Sequence, residues 1–126
     1  MKWRQREAAQ RFAERRRRED EAPRLLAVAP TLSSLRFRID EYRAGGSLAE
    51  TGHVRPIVVA NAPALFVFPC QDPSCKDGGH DLTSEITAAL RAGKEQFRGE
   101  DPCRGQVGSA DCSRILRYSA TATYKA

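Results

Sequence analysis

Four cysteines limit what this chain can fold into more than any other feature of its sequence. They come in two close pairs, Cys70 with Cys75 and Cys103 with Cys112, and residues that favour turns lie inside each pair. Zinc prefers four soft or borderline ligands in a tetrahedron, and two turn-forming pairs can supply them. We therefore predict one zinc ion held by all four cysteines.

The segment between the two pairs allows a single site. A helix is predicted there, with Asp81 as its N-cap, apolar side chains at helical spacing from Leu82 to Leu90, and Phe97 as a candidate last member. Such a helix is about 16 Å long, and the chain that follows it can span roughly 30 Å when extended. The second pair can therefore return to the first.

His80 leaves the ligand set open. It follows Cys75 closely in the sequence, so it is an alternative ligand in place of one cysteine, or a hydrogen-bond donor to a ligating thiolate. Two local disulfides, or unliganded core thiols, are less favoured interpretations of the same cysteines. The charged N-terminal residues give no sign of a secretory signal. We therefore expect a cytoplasmic protein, in which paired cysteines more often hold metal than form disulfides.

The rest of the pattern predicts an α+β fold, with a small antiparallel sheet and one packed helix. Residues 35–40 alternate between apolar and polar, which indicates a half-buried strand. Short strands at 57–59 and 65–68 are candidate hairpin partners, and a last strand is predicted at 115–124. We predict a basic helical arm over residues 1–24 and a zinc-binding α+β domain over residues 25–126.

The order of strand, cysteine pair, helix, cysteine pair and strand resembles zinc-ribbon and treble-clef sites over about residues 65–120. Four cysteines would close the coordination shell, whereas catalytic zinc keeps an open position. The surroundings of His80 do not match zinc deaminases, and the sequence lacks the common hydrolase, phosphate-loop and metalloprotease motifs. We expect no enzymatic activity and infer no small-molecule substrate; a thiol-based enzyme or redox sensor is the least favoured function.

Basic residues are concentrated in the N-terminal arm. Residues 1–24 hold nine Lys or Arg against five Asp or Glu, in a chain whose net charge is +5. Arginine binds phosphate as a planar fork, and aromatic side chains stack on bases. The arm is therefore interpreted either as a helix that binds nucleic acid or a ribonucleoprotein, or as a helix for protein interaction or self-association; no membrane partner is inferred. The candidate contact residues are Trp3, Arg11, Phe12, Arg15, Arg16, Arg17 and Arg18.

Overall fold

A computed structural model describes the backbone of residues 2–125 and the side chains of residues 5–49 and 54–125. Helices and antiparallel strands are both present, which confirms the α+β class. The helices are α1 (Lys2–Glu21), α2 (Leu25–Val28) and α3 (Thr83–Arg91). The long strands are β1 (Leu32–Tyr42), β2 (Leu48–Ile57), β6 (Gln96–Pro102) and β9 (Ile115–Tyr124). The short strands are β3 (Val67–Phe68), β4 (Cys75–Lys76), β5 (His80–Asp81), β7 (Gln106–Val107) and β8 (Ala110–Asp111).

The long strands form one antiparallel sheet in the order β2-β1-β9-β6. The two central strands alternate between buried and exposed residues, and their registers place Phe37 opposite Ala120 on the buried face. Successive residues of a strand point to opposite faces, so this alternation leaves one face on the core and the other open. The strand predicted at residues 115–124 is confirmed, and the one predicted at 35–40 is longer at both ends.

The core lies between this sheet and α3. Phe37 is fully buried at its centre, with the rings of Phe66, Phe68 and Tyr118 packed edge-on at 5.6, 6.0 and 6.1 Å. Edge-to-face packing is the arrangement that aromatic pairs prefer. Helix α3 contributes buried Ile86 and Leu90 to the same core, and α2 contributes Leu25.

The ends of α3 follow from local side-chain and backbone chemistry. Asp81 belongs to β5 rather than being the N-cap residue, but its carboxylate accepts the Thr83 N–H at 3.1 Å, so it still satisfies one donor of the first turn. Gly93 ends the helix with φ at 71°, where a side chain would be strained. Phe97, a candidate helix residue, lies on β6 instead and packs against Tyr118.

Two of the predicted short strands are wrong in position or partner. Strand β2 ends at Ile57, and residues 59–61 form a 3₁₀ turn, so the predicted run at 57–59 is not a strand. The run at 65–68 is a strand only at β3, which pairs with β5 rather than with residues 57–59. Strand β2 contains glycine and Pro56, yet it forms because an edge strand bonds on one side and tolerates proline.

Helix α1 has almost no buried surface: its residues from Gln5 to Arg18 are all exposed. It ends before Pro23, and Arg18 near its end and Arg24 just beyond it contact the rest of the protein through ionic and polar groups. Arg18 pairs with Asp81 on β5 at 3.0 Å, and Arg24 donates to the backbone oxygen of Asn61 at 3.2 Å. These contacts position the end of α1 beside the short strands.

Candidate metal centre

The first cysteine pair spans the loop between β3 and β4, with Cys70 in the loop and Cys75 at the start of β4. Asp72 shapes this loop, because its side chain accepts the Ser74 N–H at 2.9 Å and its backbone oxygen accepts the Cys75 N–H at 3.0 Å. Aspartate favours such turns since its short side chain can bond its own backbone two residues ahead. The turn directs Cys75 into β4, opposite Val107 of β7.

The second pair lies at the base of the β7–β8 hairpin. Gly108, with φ at 63°, supplies the left-handed residue of the hairpin turn. The Cys112 N–H bonds to the Gly105 oxygen at 2.8 Å, and the Cys103 N–H bonds to the Arg114 oxygen at 2.9 Å. These backbone bonds hold both cysteines beside the first pair, because β7 also pairs with β4.

The four cysteine sulfurs converge on one point. All four Sγ atoms lie within 4.8 Å of one another, and the cysteines are unlinked thiols. Two of the separations run between the pairs: Cys75 to Cys103 is 3.7 Å and Cys70 to Cys112 is 3.8 Å. A disulfide needs about 2.05 Å between sulfurs, so this is the spacing of metal ligands rather than of bonded sulfur. The structure thus brings together the four predicted cysteines as a group that can hold a metal ion.

Two glycines make room for the sulfurs. A Cβ atom on Gly78 would lie 2.3 Å from the Cys75 sulfur and 2.6 Å from the Cys103 sulfur. A Cβ on Gly105 would lie 2.5 Å from the Cys75 sulfur and 2.6 Å from Gly78 Cα. The backbone at both positions therefore packs directly against the cluster, where no side chain fits.

The thiols differ in how easily they ionise. Burial raises the pKa of Cys70, and it raises the pKa of Cys75 to about 11. Burial also opposes ionisation of Cys103, but the N–H groups of Gly105 and Gly79 donate to its sulfur and keep its pKa below the usual value. Metals bind thiolates, so binding must release protons from Cys70 and Cys75. Metal binding should therefore weaken as the pH falls.

A buried carboxylate, Glu41 of β1, supports the first cysteine loop. It is only 3% exposed, and its two oxygens accept the Gln71 N–H at 3.0 and 3.2 Å. Arg114 donates to Glu41 at 3.2 Å and lies 3.9 Å from Asp72, so one arginine links β1 to the loops of both cysteine pairs. The sequence analysis did not predict this pair. Phe37 and Ile39 point toward the core, so the alternation along β1 also places residue 41 on the core side.

Replacing Glu41 with alanine should lower the free energy of unfolding by about 3 kcal/mol. The change removes the acceptor of the Gln71 N–H and the nearer of two carboxylates beside half-buried Arg114, which lies 3.2 Å from Glu41 and 3.9 Å from Asp72. Chemical denaturation monitored by circular dichroism measures the loss. Glu100→Ala is the matched control, because its pair with Arg117 at 3.0 Å is exposed and should contribute less than about 1 kcal/mol. Equal losses in both variants would contradict the supporting role of Glu41.

His80 lies in the core beside β3 and is not a member of the sulfur cluster. Its side chain is 1% exposed, and its Nδ1 is 2.9 Å from the Asp101 carboxylate, which accepts the bond. Its Nε2 is buried and has no hydrogen-bond partner within residues 5–49 and 54–125. The four ligand atoms that lie within 4.8 Å of one another are all sulfurs, so the alternative ligand is not brought to the cluster.

The arginines of the arm from Arg6 onward are exposed, and most of the run from Arg15 to Arg18 is paired. Arg15 pairs with Glu19 at 3.2 Å, and Arg17 pairs with Glu21 at 3.1 Å and with Glu14. Arg18 bonds Asp81 as described above. The structure brings these side chains to the surface of one helix without gathering them around a single point.

Three of the candidate contact residues with described side chains, Arg11, Phe12 and Arg16, stand apart from these ion pairs. Arg11 and Arg16 have no ion-pair partner among the described side chains. Phe12 is 65% exposed, and the side chain of Trp3 lies outside the described residues. An open groove separates the Arg11 side of α1 from β3 and the loop around Gly78. The arm is thus adjacent to the metal centre, with Arg11 and Phe12 accessible.

Comparison with protein-family models, with curated proteins and with solved structures gave no match. The helices in the described part of the chain are all too short or too polar to cross a membrane. The fold and the site together define an α+β protein with a candidate metal centre of four cysteines.

Proposed function

We propose that this protein is a non-enzymatic binding module whose fold is stabilised by one zinc ion on Cys70, Cys75, Cys103 and Cys112. The spacing of the sulfurs supports this proposal, since two of the separations between the cysteine pairs are 3.7 and 3.8 Å. Thiolates about 2.3 Å from a central zinc in a tetrahedron are about 3.8 Å apart. Four sulfur ligands leave no open position for a substrate, so the ion would be structural.

The proposed ligand of the module is nucleic acid, bound through the arginines of α1. Arg11 and Arg16 are exposed without a carboxylate partner among the described side chains, so their guanidinium groups can bind phosphates. The ion pairs of Arg15 and Arg17 are exposed, and such pairs contribute little to stability. Phosphate can therefore replace a carboxylate at these positions.

A protein-interaction or assembly module is the second candidate. The observation that favours it is Phe12, which is 65% exposed on a helix whose other side lines an open groove. Exposed aromatic residues are common at protein interfaces. In this case Phe12, and Trp3 near the start of the helix, would contact a partner or a second copy.

The experiment combines elemental analysis with binding to RNA and duplex DNA. We expect one zinc per chain and a mobility shift that weakens steeply with salt, because phosphate contacts release counterions. Replacing Arg15, Arg16, Arg17 and Arg18 with glutamine should remove the shift and leave zinc content unchanged. The matched control replaces the same four residues with lysine, which keeps the charge and should keep most of the binding.

Each result has a clear consequence. Iron instead of zinc, or a metal-free folded protein, would overturn the zinc assignment. No shift with any nucleic acid at low salt would overturn the nucleic-acid assignment. Light scattering then tests the second candidate: a mass above that of one chain, lost in Trp3→Ala/Phe12→Ala and kept in the glutamine variant, would establish assembly.

A further inference from the structure

The open face of the four-stranded sheet is a second basic surface, on the side away from α3. The register places Arg38 of β1, Ser119 of β9 and Arg98 of β6 in one row across the sheet. Directly opposite residues of antiparallel strands point to the same face, and all three are exposed. The neighbouring row runs from Arg36 through Thr121 to Gln96, also exposed.

Among the described side chains, some arginines of this face have a carboxylate partner and others have none. Arg38 lies 3.5 Å from Asp40, and Arg117 pairs with Glu100 at 3.0 Å while it stacks on the Tyr42 ring at 4.5 Å. Arg36 and Arg98 have no ion-pair partner among the side chains of residues 5–49 and 54–125. The described part of the face therefore carries four arginines against two carboxylates, and two of its guanidinium groups are available to an external anion.

The distances suit an extended polyanion. Two residues apart on one strand, Arg36 and Arg38 are about 6.8 Å apart along the sheet. Arg38 and Arg98 are two strands apart, about 9.6 Å, with the Ser119 hydroxyl between them. Arginine together with serine and threonine hydroxyls is a common set of donors to nucleic-acid phosphates.

A protein partner fits this surface less well. The fully buried centre of a protein interface is apolar and depleted of charge. Here the centre of the face holds arginines and hydroxyls, and exposed Val54 lies on the edge strand β2. Charge complementarity with a phosphate backbone is therefore the better match.

We propose that the open sheet face binds the backbone of a single-stranded nucleic acid, with Arg36 and Arg98 as its principal phosphate contacts. This inference deepens the proposed function, because it adds a second surface for the same class of ligand. A single strand is favoured over a duplex because a face of four strands, about 14 Å across, is too wide to enter a major groove of about 12 Å. The contacts are to phosphate, so binding is independent of base sequence.

The test compares the double variant Arg36→Gln/Arg98→Gln with the wild-type protein, both as the full chain. Binding of a labelled single-stranded oligonucleotide of mixed sequence is followed by fluorescence anisotropy from low to physiological salt. Losing two phosphate contacts should reduce the slope of log K against log salt by about 1.4 and weaken binding at low salt on the order of tenfold. Both arginines are exposed and unpaired among the described residues, so metal content and melting temperature should stay unchanged.

The matched control is Arg91→Gln/Lys94→Gln, which removes the same charge from the α3 side of the sheet. It should bind as wild type apart from a small effect of net charge. Equal weakening in the control and face variants would overturn the inference, and so would an absence of oligonucleotide binding at low salt. Face-dependent binding of poly-glutamate in place of the oligonucleotide would overturn it in favour of an acidic protein.

The arm variant separates this inference from the proposed function. If the four-glutamine variant of α1 loses binding and the face variant does not, the arm is the contact surface and this inference fails. If the face variant loses binding and the arm variant keeps it, the inference holds and the arm assignment fails. Loss of binding in the arm variant together with weaker binding in the face variant would establish both surfaces.

Discussion

Cys103→Ser should abolish metal binding and lower the melting temperature by about 20 °C. Structural zinc contributes roughly 10–16 kcal/mol of apparent binding free energy in small zinc-finger peptides, which is as large as the net stability of a whole domain. Cys103 is buried, and its sulfur lies 3.7 Å from Cys75, so serine would leave an incomplete shell inside the protein. In a chain of this size, a loss of about 5 kcal/mol in the free energy of unfolding corresponds to this decrease in melting temperature.

Thermal melting with and without a chelator, together with elemental analysis, measures this effect. Chelation of the wild type should reproduce the melting curve of Cys103→Ser and unfold the C-terminal half. Ser109→Ala, exposed in the turn between β7 and β8, is the control and should behave as wild type. A metal-free protein with the native melting curve, or one that contains two disulfides, would contradict the metal assignment.

Gly78→Ala should abolish metal binding as completely as loss of a ligand. Its methyl group would lie 2.3 Å from one ligand sulfur and 2.6 Å from another, well inside van der Waals contact. The sulfurs cannot both withdraw, because Cys75 is held by β4 and Cys103 by the backbone bond to Arg114. We expect substoichiometric metal and a melting temperature close to that of the chelated wild type.

Gly93→Ala is the matched control for this steric argument. Its Cβ would meet no atom within 4 Å, but its φ of 71° makes alanine there strained. The substitution should therefore lower the free energy of unfolding by about 1 kcal/mol, and the variant should keep full metal content. If Gly78→Ala binds one metal ion per chain, the close approach of this backbone to the sulfurs is not required for the site.

Part of the candidate site could be predicted from local sequence alone. Turn-forming residues between closely spaced cysteines indicate two loops, and the separation of the pairs allows them to meet. The supporting pair of Glu41 and Arg114 could not be predicted in this way, because its members lie far apart in the chain and meet only through strand register. The sequence offered a signal for one member of the pair, Glu41, because it is a charged residue at an inward position of β1.

The ion pairs of the arm show a similar limit. The partners within α1, such as Arg15 and Glu19, follow from helical spacing. The partner of Arg18, Asp81, belongs to the short strand before α3, and no local pattern relates the two. Which arginines remain available to a ligand therefore depends on how α1 sits against the short strands.

The sequence by itself determined the α+β class, the helical arm, the central strand β9 and the cysteines that converge. These features come from periodic burial and from turn chemistry, which act over a few neighbouring residues. Only the tertiary structure decided that β2 and β6 are the edges of the sheet, that His80 bonds Asp101 away from the cluster, and that Arg36 and Arg98 share an open face. Edge strands bond on one side and tolerate irregular sequences, and the neighbours of a side chain across the sheet depend on register, which local composition does not encode.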